Sequence, residues 1–119
     1  MPDPLVIDPQ AIENLRALNP GDNDEFLREI TGIFMEDTPR RLAELDRSLE
    51  QGDAQTFTRA AHSIKGSSAN VGASSVRAVA EKLEHHARTQ GLAGAGPLLS
   101  ELKNEYARAE TELGKLVGR

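Results

Sequence analysis

The sequence predicts an all-α fold, an antiparallel four-helix bundle with a short extra N-terminal helix. Three observations carry this. Apolar residues recur every three or four positions along four long stretches, and no strand-like alternation of useful length occurs. The breaks between stretches are short and marked by Gly, Pro and Asn. Aromatic residues make up only 3% of the chain, so the core must be Leu, Ile, Val and Ala, a composition that suits helix on helix. At 119 residues a single domain, 1–119 with its bundle core at about 22–117, can bury such a core without disulfides or metals.

Each element has its own signal. Asp8 before Pro9 reads as an N-cap with proline at the first helical position, opening a short helix that ends at Leu18 before the break Asn19-Pro20-Gly21. Asp22 with Glu25 makes a capping-box-like start for a long second helix. Its apolar stripe runs Phe26, Ile30, Ile33, Phe34, Leu42, Leu45, Leu49, with a gap at Thr38-Pro39. The phase is kept across Pro39, which predicts one kinked helix. Met35 lies off this stripe and reads as an exposed apolar residue, a candidate for a docking patch. Gly52 ends the second helix and Asp53 caps the third, in which Phe57, Ala60, Ala61, Ile64 and Ser68 share one face. Gly72 closes it, predicting an antiparallel hairpin with the fourth helix. Ser74 or Ser75 would cap that helix, and its stripe is Val76, Val79, Ala80, Leu83 and Ala87. Residues 92–96 read as a flexible joint. Pro97 opens the last helix, with Leu99, Leu102, Tyr106, Ala109, Leu113 and Leu116 facing inward.

Composition removes several function classes. Without cysteine there are no disulfides, thiolate metal sites or cysteine nucleophiles. A net charge of -5 and the lack of a basic, aromatic-laced patch argue against a nucleic-acid partner. No apolar run is long enough to span a membrane and the N-terminus is no signal peptide, so a cytoplasmic protein is expected. A monomer is expected as well. Met1 and an end just past the last helix are expected of a free-standing protein. His62, His85 and His86 are the only histidines. The adjacent pair points about 100° apart on a helix and cannot chelate one metal, and no metal site is expected.

His62 stands apart from the other two. Counting about 100° per residue from Phe57, it lies about 140° around the third helix, well off the buried face. Gly66 lies about 180° around and Ala69 about 120°, so little bulk flanks the imidazole. A glycine inside a helix costs about 1 kcal/mol relative to alanine, and on the outward side that cost yields open space. A neutral imidazole is a nucleophile near pH 7. Phosphoryl transfer needs in-line access and charge neutralisation. An exposed His62, the Lys65 cation one turn on, and room at Gly66 and Ala69 meet those needs. Taken singly, a surface histidine and lysine are also ordinary solvated residues, and Ser67-Ser68 is equally a small-residue packing pair.

The run His62-Ser63-Ile64-Lys65-Gly66-Ser67-Ser68-Ala69-Asn70-Val71-Gly72-Ala73, preceded by Ala60-Ala61, resembles the signature of histidine-containing phosphotransfer (HPt) domains of multistep two-component signalling. Phe34-x-x-Asp37-x-Pro39 with Leu42 and Leu45 upstream, and Lys82-Leu83-Glu84 downstream, are also similar to that family, over about residues 22–110. The resemblance implies that His62 accepts a phosphoryl group from the aspartate of one receiver domain and passes it to another. Lys65 would steady the phosphohistidine and Gly66 would admit the receiver. Ser67 and Ala69 would border the contact, and Glu84 and Arg88 would assist from the next helix. Their spacing of four fits that role and a plain ion pair alike. The chain would bind no cofactor, Mg²⁺ being held by the receiver, and would be a carrier more than an enzyme. Two alternatives stay open: a phospho-accepting domain of a chemotaxis-type kinase, and a receiver-binding bundle that transfers nothing.

Overall fold

The computed structural model describes residues 5–118. Five helices follow one another: α1 Pro9–Leu18, α2 Glu25–Gln51, α3 Ala54–Asn70, α4 Ser74–Gln90 and α5 Gly96–Leu116. There is no strand among the described residues. Helices α2 to α5 form the antiparallel bundle, α3 packing between α2 and α4 and α5 closing against α4 and α2, while α1 lies on α2. No helix among the described residues is long and apolar enough to cross a membrane.

The helix starts show which cap signals operate. Asp8 Oδ1 accepts the Gln10 amide at 2.9 Å, with Pro9 inside the first turn. Asp53 Oδ1 accepts the Thr56 amide at 3.1 Å and its other oxygen takes the Thr56 hydroxyl. The second helix begins later than the Asp22 signal implies: Asp24 stands at its N-cap with φ of 63° and no side-chain cap bond. Asp22 nevertheless accepts the Phe26 amide at 3.0 Å, because the left-handed turn at Asn23 and Asp24 folds its carboxylate back over the first turn. The fourth helix is not capped by Ser74 or Ser75. Ala73 holds the N-cap position, and Ser75 is buried with its amide on the Leu5 carbonyl, 3.0 Å.

The inner faces of α3 and α4 are as the periodicity predicts, with Phe57, Ala60, Ala61, Ile64, Val76, Val79, Ala80, Leu83 and Ala87 all buried. The face of α2 differs in part. It buries Leu27, Thr31, Phe34, Thr38, Leu45 and Ser48, whereas Ile33 is 56% exposed. Phe34 and Leu45 are buried and Ile30, Leu42 and Leu49 pack on the core as the stripe predicts, but three polar residues also fill inward positions and Ile33 turns outward. Met35 is half-buried and packs against the core, which corrects its reading as an exposed residue. On α5 the inward set holds through Leu113, but Leu116 is exposed in the last turn. The 92–96 segment is no loose joint: Ala95 is fully buried, its amide reaches the Leu92 carbonyl, and His86 Nε2 donates to the Ala93 carbonyl at 2.6 Å.

Gly72 is needed twice over. Its φ of 72° lies in the left-handed region, and a Cβ there would stand 2.6 Å from that of Ala11. Its carbonyl accepts the Asp8 amide at 2.8 Å, tying the N-terminal segment to the α3–α4 turn.

Helix α2 runs unbroken through Pro39. Proline has no N–H to give the carbonyl four residues earlier, and that carbonyl, on Met35, lies 3.2 Å from the Tyr106 hydroxyl of α5. The same hydroxyl is 3.2 Å from Glu110 Oε2, and the ring packs on Phe34 with centroids 5.7 Å apart. Tyr106→Phe should therefore cost roughly 1–2 kcal/mol in chemical denaturation. The cost should shrink in a Pro39→Ala background, where residue 39 regains an N–H for Met35. Equal costs in both backgrounds would show that the hydroxyl does not serve this carbonyl.

Candidate functional site

The middle of α3 faces α4 across a narrow seam, and one carboxylate organises it. Glu84 sits four residues after Ala80 and three before Ala87, beside the buried stripe of α4, and only 3% of its side chain is exposed. A carboxylate removed from water needs donors. Glu84 has three. Oε1 lies 2.7 Å from Lys65 Nζ, and Oε2 lies 2.8 Å from both His62 Nδ1 and Arg88 Nη2. Burial by itself pushes the Glu84 carboxyl upward, and it is the largest single influence. The hydrogen bonds from Lys65 and His62, with the charges of Lys65 and Arg88, together outweigh it and hold the group below the usual glutamate value.

That state fixes the histidine. An ionised carboxylate can only accept, so His62 Nδ1 carries the proton and donates. In the neutral ring the lone pair then belongs to Nε2. The His62 side chain is 60% exposed, and Nε2 has no hydrogen bond among the described residues. The ring is thus anchored through one nitrogen and open through the other. This is the arrangement of an oriented nucleophile.

The other residues singled out in the sequence fall around it. Lys65 is not a free cation: its side chain is only 25% exposed and its ammonium is bound to Glu84. Arg88 reaches the same carboxylate from solvent. Gly66 and Ala69 are exposed, and a Cβ built on Gly66 meets nothing within 4 Å. Ser67 is half-buried, with its hydroxyl on the Ile64 carbonyl, and lines a shallow groove with Phe26, Ile30 and Ile33 of α2. Met35 does not line that groove. Ile33, one turn from Ile30, is the exposed apolar residue there. Sequence reasoning passed over Arg59, three residues before His62, which lines an open concavity with Gln55, Thr58, His62 and Arg88. Its spacing to His62 was the available signal.

An all-helical bundle that presents one exposed, carboxylate-anchored imidazole belongs among the phosphoryl carriers. A family model described as "Hpt domain" matches residues 29–112, and the chain belongs to that family. It is 28% identical over 109 residues to histidine-containing phosphotransfer protein 4 of Arabidopsis thaliana, covering 90% of this chain and 85% of that protein. It is 28% identical over 99 residues to multistep phosphorelay regulator 1 of Schizosaccharomyces pombe, covering 83% of this chain and 34% of that longer protein. The crystal structure of histidine-containing phosphotransfer protein B from Pseudomonas aeruginosa superposes with a TM-score of 0.86 at 29% identity, covering 96% of each chain.

Because Glu84 titrates lower in the folded chain than in the unfolded one, its stabilising effect is present above the ordinary value of 4.5 and is lost as pH falls through its lowered value. The difference in unfolding free energy between the native chain and Glu84→Gln should follow that course. It should be constant at neutral pH and shrink on acidification below about pH 4.5. A difference independent of pH from 7 to 3 would show that the charge of Glu84 is not what holds the seam.

Proposed function

We propose that this chain is a phosphorelay intermediate that accepts a phosphoryl group on His62 from a receiver-domain aspartate and gives it to another. The observation that carries this reading is the ring itself, anchored at Nδ1 by a buried carboxylate and open at Nε2. The Nε2 lone pair attacks phosphorus as the bond to the aspartyl oxygen breaks and the aspartate leaves as a carboxylate. Attack places positive charge on the ring, and Glu84 on the far nitrogen stabilises it as it develops. Onward transfer runs the same step in reverse.

The chain brings few other groups to the transfer. Lys65 and Arg88 supply positive charge at the edge of the ring, and Gly66 with Ala69 leaves the approach clear. Orientation and charge are what phosphoryl transfer asks of a protein, and Mg²⁺ belongs to the receiver in this reading. Ser67 and Ile33 would border the receiver's footprint through the α2–α3 groove. The protein acts in the cytoplasm as a monomer, with receiver domains as partners and neither nucleic acid nor membrane among them.

Incubation with a phosphorylated receiver should leave acid-labile phosphate on the native chain and none on His62→Ala. Label retained by a folded His62→Ala chain would overturn the assignment. Gly66→Gln should fold normally, gaining up to about 1 kcal/mol because glycine is a poor helix former. It should still slow transfer at least roughly ten-fold, since the new side chain fills the approach. Unchanged transfer rates in that variant would remove Gly66 from the contact surface.

A further inference from the structure

We infer that Arg59 is a phosphoryl-binding residue of the phosphorylated state, the cation that meets the group on His62 while Lys65 and Arg88 stay on Glu84. The inference rests on His62 being the phosphorylated residue. Three cations surround the imidazole, and two of them are already committed. Lys65 and Arg88 lie 2.7 and 2.8 Å from the Glu84 oxygens. Moving both to a phosphoryl group would leave a buried carboxylate with His62 as its sole donor, a costly state. Leaving them in place gives one surplus positive charge with a neutral ring, two cations against one carboxylate. A phosphoryl group brings about −1.5 to −2 at pH 7, which leaves negative charge for a further cation to meet.

Arg59 is placed to be that cation. It lies three residues before His62, hence beside it on the helix surface, and lines the same concavity as His62 and Arg88. Arg59 is exposed and makes no ion pair among the described residues. Its charge is felt by Asp53, whose carboxyl is lowered first by its Thr56 hydrogen bonds and only in lesser part by Arg59. A guanidinium so placed can offer two N–H groups to phosphoryl oxygens.

The test needs no receiver. Phosphoramidate phosphorylates the full-length chain directly: Nε2 bonds to phosphorus, the reagent's P–N bond breaks and ammonia leaves. The ³¹P resonance of phospho-His62 is then followed against pH at low ionic strength in the native chain, Arg59→Ala, Arg59→Lys and Arg28→Ala. A nearby cation favours the dianion, so Arg59→Ala should raise the midpoint of the phosphoryl's second ionisation by about half a unit. Arg59→Lys should recover most of the shift and Arg28→Ala should leave the midpoint in place. An unchanged midpoint in Arg59→Ala, or an equal shift in Arg28→Ala, would overturn the assignment of Arg59. The same resonance appearing in His62→Ala would instead overturn the phospho-acceptor reading beneath it.

Discussion

The seam between α3 and α4 depends on one buried carboxylate being fully satisfied. Glu84 is almost closed to solvent, and an ion in that position destabilises a protein unless its lone pairs are engaged. Its two oxygens collect an imidazole N–H, an ammonium and a guanidinium. Each partner is thereby held at the edge of the α3–α4 seam, where the proposed transfer would use it. The ring is oriented, its tautomer is chosen, and positive charge stands at its edge. A neutral amide at position 84 could not accept at both of its heavy atoms, so it could not hold all three donors together.

The rest of the fold serves that placement. Alanines at 60, 61, 80 and 87 are buried on α3 and α4, which pack on each other, and larger side chains in that packing would carry Glu84 away from His62. Gly72 makes the tight turn that fixes the register of the two helices, and the Asp8 and Ser75 amides fasten the N-terminal segment over it. On α5, Tyr106 meets the Met35 carbonyl, to which Pro39 has no N–H to give. A proline in mid-helix is thus accommodated by a side chain from an adjacent helix.

The outward face of α3 follows a different rule, economy of bulk. Gly66 and Ala69 flank His62 on one side, and the concavity with Arg59 and Arg88 lies on the other. Stability would favour alanine or a longer residue at position 66. The open space there supports access to the imidazole as the feature retained at that cost.

Helical period, breaks and the caps at Asp8 and Asp53 were sufficient in the sequence to set the five helices, the hairpin at Gly72 and the buried faces of α3 and α4, because each depends on residues within a turn or two. The starts of α2 and α4 were not set by their expected caps. The outward position of His62 and the open side of Gly66 followed from the same counting. On α2 the period placed Phe34 and Leu45 inward but did not show the inward Thr31, Thr38 and Ser48 or the exposure of Ile33. Nor did it show the state of Lys65, which the sequence offers as a free cation and the fold binds to Glu84. His62 and Glu84 are separated by 22 residues, and no local pattern encodes a hydrogen bond between them. Only the packing of α3 on α4 brings that carboxylate under the ring, and Lys65, His62 and Arg88 hold it ionised against its burial, so that it selects the open nitrogen.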